Sequence, residues 1–362
     1  MRSVGRTLLV VLASGLAAAL AYLALWPVPV DPVAWDAPPD TGFTGPFAAN
    51  TRLADLDTIP LGAHEGPEGV ARDAQGRVYV STRHGVILRF TADGTDPVAW
   101  ADTQGRPLGL DFDTAGTLFV ADGERGLLAI EAAGTVRLLA DSADGTRIEF
   151  ADDLAVAADG MVYLSDASTK FGVRAQSDEQ ASVLDVIEHG GHGRLIGWDP
   201  RTGRASVVAR GLQFANGVAM TPDEQAVFVC ETGAYRIVRV AVTGAARGSV
   251  TPVLEGLPGF PDNISRGLDG RYWVALFAPR NALLDALSAR PFLRKVIVRI
   301  PMALRPRAAE YGHIFAMDAG GRVLDDRQDP SGGFPKMTDV LETERWLFIG
   351  SLQGGTLARV AR

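Results

Sequence analysis

The sequence predicts an all-β domain, a six-bladed β-propeller, carried behind an N-terminal transmembrane helix. Three observations lead there: one hairpin phrase recurs six times, turn-forming residues are abundant, and an early stretch is long, apolar and free of charge. The 362 residues include 41 Gly and 21 Pro, with 47% hydrophobic and 7% aromatic residues. Such a composition excludes disordered, collagenous and disulfide-stapled chains, and it favours many tight turns over a few long helices. The formal net charge of −8, from 35 basic and 43 acidic residues, argues against a nucleic-acid partner. The single cysteine, Cys230, closes the apolar run Ala226-Val227-Phe228-Val229-Cys230 and reads as a small buried hydrophobe.

From Thr7 to Trp26 the chain carries no charge and is dominated by Leu, Val and Ala. Twenty helical residues match the thickness of a bilayer core, so residues 7–26 are expected to form a signal-anchor. Arg2 and Arg6 precede this run and no basic residue follows until Arg52. The positive-inside rule then leaves residues 1–6 as a cytoplasmic tip and the remainder exported to the periplasmic or extracytoplasmic side, as a single-pass membrane protein. The competing reading is a cleaved signal peptide, with small-residue patterns at Ala17-Ala18-Ala19 and Ala19-Leu20-Ala21. Residues 27–50, with Pro27, Pro29, Pro32, Pro38 and Pro39, read as an extended spacer.

The propeller is expected over residues 51–362. Its repeated phrase is a short apolar strand, an Asp- and Gly-rich turn, and a second strand of aromatic and β-branched residues. The copies begin at Gly66-Pro67-Glu68-Gly69-Val70, Pro107-Leu108-Gly109-Leu110, Phe150-Ala151-Asp152-Asp153-Leu154, Phe214-Ala215-Asn216-Gly217-Val218, Phe260-Pro261-Asp262-Asn263-Ile264 and, more degenerate, Met337-Thr338-Asp339-Val340. Each reads as a hairpin by alternation and turn chemistry. Further strand candidates between copies, such as 85–90 and 126–130, complete four strands per unit. Four-stranded units at a period of about 40 to 50 residues describe propeller blades.

In a propeller the first strand of each blade lines the central channel. The residues opening those strands, Glu68, Leu108, Asp152, Asn216, Asp262 and Thr338, are therefore expected to face the axis at one level. Four of the six are hard oxygen donors, a set that suits Ca2+ better than zinc or copper. Buried carboxylates gathered there would repel one another without a cation. The alternative is ordinary turn and capping chemistry of Asp and Asn. Two antiparallel strands return the chain to the face on which it started, so the insertions at 168–193 and 277–309 are expected to overhang that axial site. Within the second, 282–290 reads as a helix and 292–300 as a basic apolar stretch, packed either on the propeller rim or against a bilayer surface.

The phrases Phe150–Leu154, Ser165-Asp166-Ala167-Ser168-Thr169-Lys170-Phe171, Phe214–Val218 and Pro258-Gly259-Phe260-Pro261-Asp262-Asn263-Ile264, occurring in order, resemble the strictosidine-synthase-like family. Within it the sequence is most similar to the adipocyte plasma-membrane-associated protein branch. The resemblance covers residues 61 to the end and implies kinship with paraoxonases and the gluconolactonase/regucalcin group, six-bladed propellers with an axial calcium. It implies metal ligands at Glu68, Asp152, Asn216 and Asp262, with Asn263 as a fifth. Two departures matter. Leu108 stands where paraoxonases carry a catalytic histidine, and Thr338 where true strictosidine synthases carry a glutamate. The resemblance therefore implies a calcium-dependent hydrolase of lactones or aryl esters, a lactonase or arylesterase acting on a small-molecule substrate.

In that reading Asp262 serves as base or nucleophile, and His84 and Asp166, on the metal face, contact substrate. His192 also ends on that face, whereas His64, His189 and His313 read as solvated or packing histidines. No Gly-x-Ser-x-Gly elbow, Walker loop or zinc-spaced cluster is present in the sequence. Two further readings stand beside hydrolysis: a lyase or synthase acting on amines, and a non-catalytic calcium-stabilised propeller that binds a partner.

Overall fold

The computed structural model describes residues 2–305 and 307–362, without the side chains of residues 2–5, Leu8 and Ala303. Among these residues each repeated phrase forms the two inner strands of a four-stranded antiparallel sheet, and there are six such sheets. The inner pairs are Val70–Arg72 with Val78–Ser81, Pro107–Phe112 with Leu118–Asp122, and Ala151–Val156 with Val162–Asp166. The other three are Ala215–Met220 with Ala226–Glu231, Gly259–Arg266 with Tyr272–Pro279, and Met337–Glu342 with Trp346–Ser351. Neighbouring innermost strands contact one another in sequence order and the sixth returns to the first, which closes the propeller.

Turn chemistry shapes the hairpins. In blade two, Asp113 Oδ1 accepts from the amides of Ala115 and Thr117, and Gly116 takes φ 87°, a conformation other residues adopt at a cost. Both faces of each sheet are covered by neighbouring blades, which is why Leu118–Asp122 and Ala226–Glu231 are buried throughout. A separate apolar cluster fills each gap between blades. Phe228, Ile237, Tyr272, Val274 and Phe315 bind blades four and five, for example, and Cys230 is buried among them.

The ring is latched by a strand the repeat pattern did not indicate. Asp57–Pro60 pairs antiparallel with Thr356–Ala361 and becomes the outer strand of blade six. Joining both ends of the propeller in one sheet removes an open edge.

Among the described residues the two insertions meet each other. Following the N-terminal helix α1 (Arg2–Leu25), the first insertion forms α2 (Asp178–Glu188), capped by Ser177 Oγ, which accepts from Gln180 N at 3.2 Å. Its Ala181, Leu184 and Ile187 pack on Leu108, Phe150 and Phe214 at the channel mouth. In the second insertion the expected helix is shorter, α3 (Ala282–Ala286), and the basic stretch is itself helical, α4 (Pro291–Arg299). Pro291 explains the break, since proline interrupts one helix but readily opens the next. Arg294 and Val298 of α4 are buried against α2 and the N-terminal segment, whereas Phe292 and Leu293 are exposed.

Residues 27–50 carry no helix or strand beyond a short 3-10 turn at Gly45–Phe47, and they are not a free spacer. Val30 is wholly buried, Val33 N donates to Glu188 O at 2.8 Å, and Trp35 N donates to Ser288 O at 3.2 Å. The segment straps the two insertions together. The expected membrane helix is observed as a helix, α1, whose C-terminal end is held by Arg299 Nε donating to Trp26 O at 2.6 Å. Among the described residues, however, no helix is long and apolar enough to cross a membrane, so a transmembrane span is not established. Most of the expected cytoplasmic tip, and Leu8, lie outside the described side chains.

Candidate metal centre

The axial residues sit on a recurring irregularity of the inner hairpin. In blade three, Ala151 pairs with Asp166 and Leu154 with Leu164, so Asp152 and Asp153 together oppose Ser165. The same two-against-one arrangement occurs at Leu108-Gly109, Asn216-Gly217, Asp262-Asn263 and Thr338-Asp339. A bulge of this kind bends the strand and re-aims its side chains. Its first residue is the one the repeat register assigned to the axis.

Where the second bulge residue is an aspartate, it has a different task. Asp153 Oδ2 accepts from Val218 N of the next blade at 2.7 Å, and Asp339 Oδ2 accepts from Val70 N at 2.8 Å. These carboxylates stitch neighbouring inner strands. Where the second residue is glycine the next blade presses closer: a Cβ at Gly217 would stand 2.6 Å from Asn263 Cα.

Glu68, Asp152, Asn216, Asp262 and Asn263 are all buried at the channel mouth. Asn216 Nδ2 donates to Asp262 Oδ1 at 2.7 Å, and Asn263 Nδ2 donates to Glu68 Oε1 at 2.8 Å. Three oxygens of this group, Glu68 Oε2, Asn216 Oδ1 and Asn263 Oδ1, are buried without a hydrogen-bond partner. Buried orphan acceptors are costly and rare, and a cation satisfies them as water or a donor would. The donor set is wholly oxygen, which fits calcium. Among the described residues no three His, Cys, Asp or Glu side chains are grouped closely enough to hold a metal by themselves, so the amide oxygens are integral to any such site.

Electrostatics point the same way. Burial, then Asp152 and Asp262, holds the Glu68 carboxyl well above its usual range. Burial, then Asp262 and Asp153, does the same for Asp152. Burial pushes Asp262 up to about 8, with the Asn216 hydrogen bond pulling against it. Arg106 opposes the rise at both Glu68 and Asp152.

Other expected site residues fall elsewhere. Thr338 and Leu108 complete the axial ring, but Thr338 Oγ1 donates to Glu68 O at 2.8 Å and Leu108 joins the apolar cluster under α2. Asp166 was expected to contact substrate; instead it is fully buried, with Oδ2 on Arg194 Nε at 2.8 Å and Oδ1 on the Phe150 amide at 2.8 Å. Both of its oxygens are thus engaged inside blade three, where its strand ends and the first insertion begins. His84, the other residue expected at the substrate, has a side chain 74% exposed beside Glu65. His192 pairs with Glu188 at 2.6 Å beneath the strap, and His313 pairs with Asp326 at 2.6 Å in blade five.

Arg106 escaped the sequence reading. It stands two residues before Leu108 and donates to Asp178 Oδ2 at 2.8 Å, while its Nη2 is buried without a partner. Its repeat position, once the blades are aligned, was the available signal.

A propeller with oxygen donors gathered at one mouth defines the class. The strictosidine synthase-like N-terminal family model matches residues 45–90, and the strictosidine synthase family model matches residues 152–245. The chain is 32% identical over 360 residues to the adipocyte plasma membrane-associated protein of Bos taurus, covering 92% of this chain and 84% of the relative. It is also 32% identical over 321 residues to Protein STRICTOSIDINE SYNTHASE-LIKE 6 of Arabidopsis thaliana, covering 85% and 82%. The chain belongs to the strictosidine-synthase-like family. Among solved structures, a gluconolactonase from Xanthomonas campestris matches with a TM-score of 0.62 at 21% identity, covering 93% of this chain and 99% of that one. A calcium-binding regucalcin from Agrobacterium tumefaciens matches with a TM-score of 0.57 at 15% identity, covering 84% and 93%. These two share the fold.

Proposed function

We propose that the protein is a calcium-dependent hydrolase of lactones or aryl esters. The observation that carries this reading is the set of buried, unpartnered oxygens of Glu68, Asn216 and Asn263 at the mouth of the channel. Glu68, Asp152, Asn216, Asp262 and Asn263 would hold the ion. A calcium ion there would supply positive charge to polarise an ester carbonyl and stabilise the developing oxyanion.

Asp262 is our candidate base, since its second oxygen is left after Oδ1 accepts from Asn216. Leu108, Phe150 and Phe214, roofed by α2, keep one side of the mouth dry. Proteins of this fold include a gluconolactonase and a calcium-binding regucalcin, in keeping with the substrate class and the metal. The exposed Leu9, Val10, Val11, Leu12, Leu16 and Leu20 of α1 support a membrane tether, with the propeller exported, and the names of several relatives include the plasma membrane.

The full chain, assayed with phenyl acetate and a panel of lactones, is expected to turn over only with calcium present and to lose activity on chelation. Activity equal to that of Asp262→Ala would favour a non-catalytic, calcium-stabilised propeller. Recovery in the membrane fraction, lost on deletion of residues 1–26, tests the tether.

A further inference from the structure

We propose that the opening between blades six and one is an anion-binding subsite, so that the substrate of the axial centre is an ester or lactone that also carries a carboxylate or phosphate. The inference rests on the hydrolase reading for its substrate and on separate residues for its charge. Two positions before each axial residue the six blades carry Gly66, Arg106, Phe150, Phe214, Phe260 and Lys336. The ring is thus divided, aromatic on blades three to five and cationic on blades two and six. On blade one Arg83 occupies the space that a side chain at Gly66 would need, its Nε lying 3.2 Å from a Cβ built there.

The aromatic half is already covered. Phe150 and Phe214 are each 2% exposed, packed in one cluster with Ala181 and Leu184 of α2. Arg106 of blade two is buried as well, but between blades six and one the ring is open, with a cavity of about 340 Å³ lined by Glu65, Gly66, Arg83, Lys336 and the 352–354 turn. Lys336 takes φ 54°, a left-handed conformation that non-glycine residues adopt at a cost.

The two cations of this cavity are loosely matched. Arg83 donates to Leu352 O at 2.8 Å, but its carboxylate neighbours, Asp178 and Glu65, stand 3.7 and 3.8 Å away. Lys336 pairs with Glu179 at 3.3 Å, and Glu179 is 62% exposed. Exposed pairs of this kind contribute little, so an incoming anion displaces Glu65 and Glu179 readily. Arg106 lies behind, bonded to Asp178, with its buried Nη2 unpartnered. Three carboxylates around one divalent ion would leave the axis net negative, which disfavours a second anion there. A substrate with an anion at one end is therefore oriented, charge at the rim and neutral carbonyl towards the axis.

The test uses the full chain and two probes that are not esters of carboxylic acids, benzoate and phenyl phosphate, with benzyl alcohol as the neutral control. Calorimetric titration is expected to show saturable, salt-sensitive binding of at least one anion and none of the alcohol. Lys336→Met and Arg83→Met, both at partly exposed positions, should each weaken it roughly tenfold, the loss expected for one charge-assisted hydrogen bond. In parallel, the ratio of kcat/KM for 4-acetoxybenzoate to that for phenyl acetate should fall by a similar factor in each variant. Anion binding that depends on Lys336 in a protein that hydrolyses neither ester supports the subsite and removes the hydrolase. Hydrolysis of both esters at a ratio unchanged by either variant, or anion binding unaffected by both, overturns the subsite and leaves the hydrolase standing.

Discussion

Asn263 Nδ2 donates to Glu68 Oε1 at 2.8 Å, which ties the inner strand of blade five to the start of blade one across 195 residues of sequence. Each side chain keeps one buried oxygen free of any hydrogen bond. Calcium binding would satisfy both, and because only the folded chain assembles them, the ion should stabilise the fold. At a hundred times its Kd a ligand adds about 2.7 kcal/mol, a rise of several degrees in Tm. Glu68→Gln should abolish most of that rise in a calorimetric scan. An equal rise in the variant would mean that the ion binds elsewhere.

Arg194 and Asp166 form a pair whose side chains are 1% and 0% exposed. Arg194→Met leaves the Asp166 carboxylate buried without its counter-charge, a loss of about 3–5 kcal/mol. A matching drop in the urea midpoint is expected, with turnover per folded molecule retained. Selective loss of turnover at unchanged stability would return Asp166 to the substrate site.

His189 stacks on Trp35, ring centroids 3.9 Å apart. Burial, then the charges of Arg294 and Arg236, lowers its pKa from 6.5 to about 3. Between those values the unfolded chain binds the proton and the folded chain does not, so this group makes stability rise with pH. The contribution is at most about 1.4 kcal/mol per pH unit. His189→Asn suits the left-handed backbone at φ 53° and removes the titration. Urea midpoints measured from about pH 4 to 7 should show a shallower slope in the variant; parallel slopes would contradict the buried neutral imidazole.

The strap makes different truncations unequal. Removing residues 1–26 keeps Val30, Val33 and Trp35, whereas removing 1–38 empties the Val30 site and frees the 188 and 288 carbonyls. Loss of one buried valine alone is worth about 2 kcal/mol. Limited proteolysis should cut α2 and α4 in the shorter protein and spare them in the longer one. Equal resistance would show that the insertions hold themselves.

The sequence by itself determined six hairpins and the residue that opens each one, because turn chemistry and strand alternation are local and are repeated six times. Glu68, Asp152, Asn216 and Asp262 were legible for that reason. The ion pair of Asp166 was not legible, because its position after a strand is local while Arg194 is brought opposite it only by the third strand of the blade. The closing strand Asp57–Pro60 carries an ordinary four-residue pattern, and only ring geometry tells it to pair with Thr356–Ala361, some 300 residues away. The same holds for the strap, whose prolines specify extension but not contact, and for Arg106, whose guanidinium meets Asp178 only once α2 folds over the mouth. Periodicity records what each blade repeats; tertiary packing decided what lies over the axis, because those contacts join segments that no local pattern relates.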